Sequence, residues 1–234
     1  MTLYKVLDKN DHIEGAAFRV SDHCYSKWVS VTKTNANFYD NLFAASNRTG
    51  LGIDAFVIMA KDFRNVGYDT SRIFGDIRMV PTKRISLMYG DKYEVDTVSR
   101  GEIDQFAELC LSSGVEFSTR RDVLMLWEHL FEGVRCKSYP DAPSRFTSYF
   151  AFRELDDARK YAQEKTGRLI CELDDSHSIR SFEADMAMID TIPNYFTHAQ
   201  VASIMQRYWA GALSASPSIE VLLGGELVLG RAIL

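Results

Sequence analysis

The 234-residue chain has no uninterrupted apolar run approaching the ~18 residues that a membrane-spanning helix needs. Its first residues, Met1 to Asp8, lack both the basic and the apolar segment of a secretory signal. The expectation is therefore a soluble cytoplasmic protein that does not engage membranes. Cysteine is sparse: Cys24, Cys110, Cys136 and Cys171 lie far apart, with no CxxC pair and no second ligand at zinc spacing, which points to reduced, unpaired thiols. An excess of positive charge is also lacking, since 27 Lys and Arg face 32 Asp and Glu for a formal net charge of −5. No global cationic field gathers polyanions, and the runs Arg72, Arg78, Lys83, Arg84 and Arg120, Arg121 read as solvated faces or local patches. The five histidines are scattered and form no HExxH, so no metal site is expected. A GxSxG elbow, a Walker loop and a GxGxxG after a strand are all missing.

What is present is an ordinary globular composition, 46% hydrophobic and 25% charged, able to bury a sizeable core as one domain over residues 1–234. Leu3 to Leu7 reads as a strand and Asp8 to Glu14 as a turn. Residues 28–39 show no helical period, Asn47 to Gly50 reads as a turn, and the stretch 28–80 is a candidate insertion. A hairpin is expected over 85–98 and a helix over 99–114, opened by the capping-box spacing of Ser99 and Glu102. A second helix opens at Thr119 to Asp122 and stops at Gly133. Tyr139 to Ser144 is a stiff loop with two prolines, leading into a strand over 145–152, a helix with Leu155, Ala158, Tyr161 and Ala162, and a strand over 168–173. Thr197 to Gln200 caps an amphipathic helix whose stripe of Val201, Ile204, Met205, Tyr208 and Trp209 points to the core. The C-terminal segment reads as a hairpin, 219–223 and 226–229, around Gly224-Gly225. Strands and helices together make the class α+β.

Three pieces in this order carry a resemblance: Pro143-Ser-Arg-Phe-Thr-Ser-Tyr-Phe-Ala-Phe152, the helix end Tyr208-Trp-Ala-Gly211, and Ile219-Glu-Val-Leu-Leu-Gly-Gly225. Over residues 139–230 the chain resembles ADP-ribosyltransferase-like proteins of the bacterial or phage mono-ADP-ribosyltransferase toxin and effector type. That resemblance implies a split β-sheet core with flanking helices. It also implies NAD as substrate, no metal, and transfer of ADP-ribose to a macromolecular acceptor, a protein side chain or an RNA or DNA base, with an inhibitory antitoxin-like partner. By the same likeness Ser148 or Tyr149 takes the middle-strand role and Glu220 is catalytic; the chemistry of NAD cleavage then suits Ser148 to orient Glu220, an aromatic such as Tyr149 to stack on nicotinamide and Arg145 to meet the pyrophosphate. The family places Arg or His on its first strand where this chain has Leu3-Tyr-Lys-Val6, so Lys5, Arg19 or Arg145 takes that part. Two alternatives stay open: a non-catalytic partner-binding protein of the same fold, and an unrelated hydrolase using Glu220 with Asp185 or His198. Asp190 is a further candidate by nearness. In every account Ile219, Val221 and Leu223 alternate onto one strand face and leave Glu220 on the other.

Overall fold

The computed structural model describes residues 2–20, 29–50, 52–53, 105, 108–109, 120–163, 166–190, 192 and 196–233. The chain divides into two compact units, one built from 1–27, 131–191 and 204–234, the other from 28–130 and 192–203. The hairpin expected over 85–98 lies outside the described residues, as does most of the helix over 99–114, of which Gln105, Glu108 and Leu109 are helical.

The first unit is α+β and is organised by alternation. Strands β1 (Leu3–Asp8), β2 (Ala17–Arg19), β3 (Tyr149–Phe152), β4 (Arg168–Asp174), β5 (Ser178–Asp185) and β6 (Ile219–Ala232) form one antiparallel sheet. β1 pairs with β3 and along its whole length with β4. β6 pairs with β3 through its first half and with β4 through its second, so the path β6-β3-β1-β4 closes on itself. Inward positions of one parity along each strand supply the core: Leu3 and Leu7, Tyr149 and Ala151, Cys171 and Leu173, Val221 and Leu223, Leu227 and Leu229. On the outer face Val6, Phe152 and Ile170 pack with Ala158 of helix α3 (Leu155–Gln163), which Asp156 and Asp157 start favourably in its first turn.

Three local expectations are revised. The segment 219–229 is not a hairpin: β6 is a single 14-residue strand, and the Gly-Gly pair sits in its middle. Its first half lies between β3 and β5, and its second half pairs with β2 and β4, so the chain must bend between two sets of neighbours; Gly225, at φ 109°, absorbs that bend. The strand expected over 145–152 begins only at Tyr149, because Ser144 caps a 3-10 turn over Arg145–Thr147: its Oγ accepts from Phe146 N and its carbonyl from Thr147 N. Helix α2 (Arg120–Ser138) runs through Gly133 for five more residues, since the first glycine past the apolar stripe has an ordinary helical φ and stops nothing.

The second unit holds helix α1 (Val29–Thr49), where the expectation was no period over 28–39 and a turn over 47–50. Phe38, Tyr39, Leu42, Phe43, Ala45 and Ser46 are buried at helical spacing, and Gly50 at φ 75° ends the helix with its N–H on the Ser46 carbonyl. Phe43 stacks against His198, whose backbone N–H donates to Ser46 Oγ at 3.0 Å, while Asn47 Nδ2 donates to its Nδ1 at 2.7 Å. His129 donates to Asp40 at 2.9 Å. Among the described residues no helix is long and apolar enough to cross a membrane.

Burial lowers the proton affinity of His198 by more than the charge of Asp40 raises it. The unfolded chain takes up a proton near about pH 6.5 that the fold resists, so acidification below that value destabilises the protein until the folded group also titrates. Between about pH 7 and pH 5 the stability of the wild type is expected to fall relative to His198→Gln. Chemical unfolding of both across that range checks this; parallel curves would remove His198 from the acid sensitivity.

Candidate active site

β6 carries Glu220 on the face away from Val221 and Leu223, but that face is not solvent. It is covered by Tyr208 and Trp209, both buried at the end of helix α5 (His198–Trp209), and by Phe131 and Phe182. Trp209 Nε1 donates to the Phe131 carbonyl and so satisfies its polar edge. Tyr208, lacking a backbone partner at that depth, turns its hydroxyl onto Glu220 Oε1 at 2.9 Å. Glu220 is 4% exposed.

Arg145 completes the cluster. Its Nη1 donates to Glu220 Oε1 at 2.7 Å and to the Tyr208 hydroxyl at 2.6 Å, and its guanidinium carbon lies 4.8 Å from the ring centroids of both Phe131 and Phe150. A planar, weakly hydrated cation suits such an aromatic sleeve better than an ammonium does. Burial above all, with the Glu220 charge adding to it and Arg145 opposing it, pushes the Tyr208 phenol well above its usual range, so it stays a donor. Glu220 Oε1 thus receives two donors, while Oε2 accepts a hydrogen bond from no described residue.

The turn that presents Arg145 is itself held. Glu132 accepts two bonds from Arg135 at 2.7 and 2.9 Å and one from Ser144 Oγ at 2.9 Å. Burial opposes the Glu132 charge, yet these donors outweigh it and keep the carboxyl below its ordinary range. Arg135 Nη1 also ties down the Pro140 and Ala142 carbonyls.

The residues expected at the site separate into two groups. Glu220, Arg145 and Ser148 lie on the outer side of the sheet; Ser148, 1% exposed, donates to the Ser144 carbonyl at 2.7 Å and so braces the turn of Arg145, not the carboxylate. The guanidinium expected to meet a pyrophosphate faces Glu220. Lys5 and Tyr149 belong to the inner face with Leu3, Leu7 and Ala151. Lys5, 4% exposed, lies 4.0 Å over the Tyr149 ring and donates to the Phe150 carbonyl at 2.6 Å. Phe18 packs on the other aromatic contact of Tyr149, ring centroids 4.9 Å apart. Arg19, the alternative to Lys5, is exposed on β2 opposite Glu226.

Asp185 is fully buried at the end of β5, and both oxygens are engaged by backbone N–H groups: Oδ1 by Ala187 and Ser218, Oδ2 by Ser214. Burial opposes its charge, but the Ser214, Ser218 and Ala187 donors win and hold it below the usual carboxylate range. It fastens the connection into β6, and unlike Glu220 it leaves neither oxygen without a donor. His198 belongs to the second unit. Asp190 closes helix α4 (Ala187–Asp190). Burial pushes the Cys171 thiol up to about 11, which makes it inert as a nucleophile. Among the described residues no cluster of His, Cys, Asp and Glu stands at metal-binding range.

Tyr208 and Glu132 are the members of this network that sequence reading did not place. The signal for Tyr208 was available: a tyrosine completing a buried stripe must find a partner for its hydroxyl. Glu132 offered none.

A family model described as a protein of unknown function (DUF2441) matches residues 86–233. No curated protein matches the chain.

Proposed function

The chain belongs to the DUF2441 family, whose description assigns no activity, and from the geometry of its own residues we propose that it is an ADP-ribosyltransferase that uses NAD. The observation that carries this reading is Glu220: a buried carboxylate, fixed and charge-compensated through Oε1, with Oε2 left for a ligand hydroxyl. Strand order supports it as well. The strand of Lys5 pairs with the strand of Tyr149, which pairs with the strand of Glu220, so the three strands named by the resemblance are consecutive in one sheet.

NAD supplies an activated glycosidic bond: when it breaks, its electron pair neutralises the nicotinamide ring nitrogen, and the acceptor's nucleophile joins the ribose carbon and gives up its proton. Glu220 contributes by accepting a ribose hydroxyl and facing the positive charge that builds on the sugar, contacts that strengthen toward the transition state. Tyr208 and Arg145 act through Glu220, holding its rotamer by their contacts to Oε1; they are positioning residues. The site takes the ADP-ribosyltransferase-like fold as its frame, and the acceptor is a macromolecule.

Incubating the protein with NAD labelled in the nicotinamide ring and a cell lysate tests this. Release of nicotinamide is expected, with Glu220→Gln slower by about 100-fold or more, the scale of losing an electrostatic contact made in the transition state. Equal release by the folded variant would end the assignment.

A second reading, a non-catalytic partner-binding protein of the same fold, is favoured by Lys5, which the sheet turns away from Glu220 and whose ammonium is occupied by the Phe150 carbonyl. Titrating NAD while following tryptophan fluorescence separates the two, since this reading requires no saturable change.

A further inference from the structure

A hollow of about 420 Å³ opens beside the Glu220 network, lined by residues 138–143 together with Ser181, Phe182 and Trp209. It lies on the same sheet face as Glu220: Phe182 pairs with Leu222 and Ala184 with Glu220 in the β5–β6 ladder, so the Phe182 side chain stands two pairs along from the carboxylate, at the next position on that face. Its volume is within the range of small-ligand sites, on the order of 300–1,000 Å³.

The lining has a particular chemistry. Tyr139 and Phe182 contribute aromatic surface and Pro140 rigid apolar surface, while Trp209 and Pro143 line the hollow but are themselves buried. The lining includes one ionisable carboxylate, Asp141, and no lysine or arginine. Asp141 makes no ion pair or hydrogen bond with any described residue, and Arg135, the nearby cation in the last turn of α2, is consumed by Glu132 and by the Pro140 and Ala142 carbonyls. The walls are fixed in advance. Besides those two bonds from Arg135, the Ala142 N–H donates to the Tyr139 carbonyl at 3.0 Å and the Tyr139 hydroxyl to the Gln206 carbonyl at 3.0 Å. A ligand therefore meets a preorganised hollow and spends little on ordering it.

We propose that this hollow is a recognition site for an arginine side chain of a partner protein. A guanidinium is flat and carries a charge that aromatic faces attract, and its fork of donors matches a free carboxylate, whereas an ammonium is more strongly hydrated and cannot stack. Binding here needs neither NAD nor Glu220, so it stands or falls apart from the transferase reading.

The test is a titration of the full-length protein, without NAD, by N-acetyl-arginine methylamide, followed by amide shifts of the 138–142 turn and of Ser181 and Phe182. N-acetyl-citrulline methylamide, which has the same shape without the charge, the lysine analogue, and adenosine and cytidine are run in parallel. Saturable shifts at those amides with the arginine probe are expected, with citrulline at least about threefold weaker and Asp141→Asn lowering arginine affinity by about threefold, the ratio an exposed ion pair supplies. Ser181→Arg, which places a cation at an exposed position in the lining, is expected to abolish the response. No saturable shift, equal binding of citrulline, affinity unchanged in both variants, or tighter binding of lysine or of a nucleoside would each overturn the proposal.

Discussion

Glu220→Gln is expected to destabilise the fold by about 3 kcal/mol or more, because removing one partner of a buried ion pair leaves the other charge in a medium that cannot solvate it. The Arg145 side chain is 10% exposed and sits among Phe131, Phe150 and Tyr208. Glutamine keeps the shape and one acceptor, but it supplies no charge to the guanidinium. Pairing that change with Arg145→Met removes both charges and puts a flexible apolar chain into the aromatic sleeve, so the double variant is expected to recover a large part of the loss. Urea unfolding of the two single variants and the double gives the coupling directly. A single variant as stable as wild type would show that the pair contributes nothing to folding. Stability and nicotinamide release, measured on the same folded samples, then divide the carboxylate's structural role from its chemical one: the first depends on Oε1 and its donors, the second on Oε2.

The legible parts of the fold were those where one strong local pattern decides the outcome. β1, β4 and α3 were readable because Leu3 to Leu7 and Arg168 to Leu173 are short apolar strands and Leu155, Ala158 and Ala162 keep helical spacing. α1 was not, since asparagines and threonines dominate its first turns and the buried stripe declares itself only from Phe38 on. β5 was missed for the opposite reason: most of Ser178 to Glu183 is exposed, and it is a strand because β6 offers it a ladder, not because its own pattern demands one. At the site, sequence could name Glu220 and Arg145 as candidates but could not join them, because their contact spans 75 positions and depends on where α5 and the Arg145 turn lie. Lys5 could likewise be named as a candidate, but its face could not be read before the register of β1 against β3 was known. Tyr4 opposite Phe152 fixes that register and sends Lys5 to the inner face.

Gly225→Ala is the substitution expected to damage the sheet itself. The backbone there sits at φ 109°, outside the regions an L-residue occupies without strain, and an added Cβ would stand 2.6 Å from the Ile179 backbone nitrogen and 3.1 Å from the His177 carbonyl oxygen. Neither neighbour can swing aside, since both are main chain and the Gly225 carbonyl also accepts from Val20 N. Conformational strain of roughly 1–2 kcal/mol and overpacking of roughly 1–3 kcal/mol act together, so a loss of about 3 kcal/mol or more is expected. Gly167→Ala is the matched control: φ is 77°, but the space around its Cβ is open, so only the conformational part, about 1 kcal/mol, should appear. Because β6 changes neighbours at this glycine, the damage should spread to both halves of the strand, and amide exchange should accelerate at Leu222 as well as at Leu227. Similar losses for the two alanine variants would mean that the close approach of the 177–179 turn is unimportant, and that β6 bends at Gly225 for conformational reasons alone.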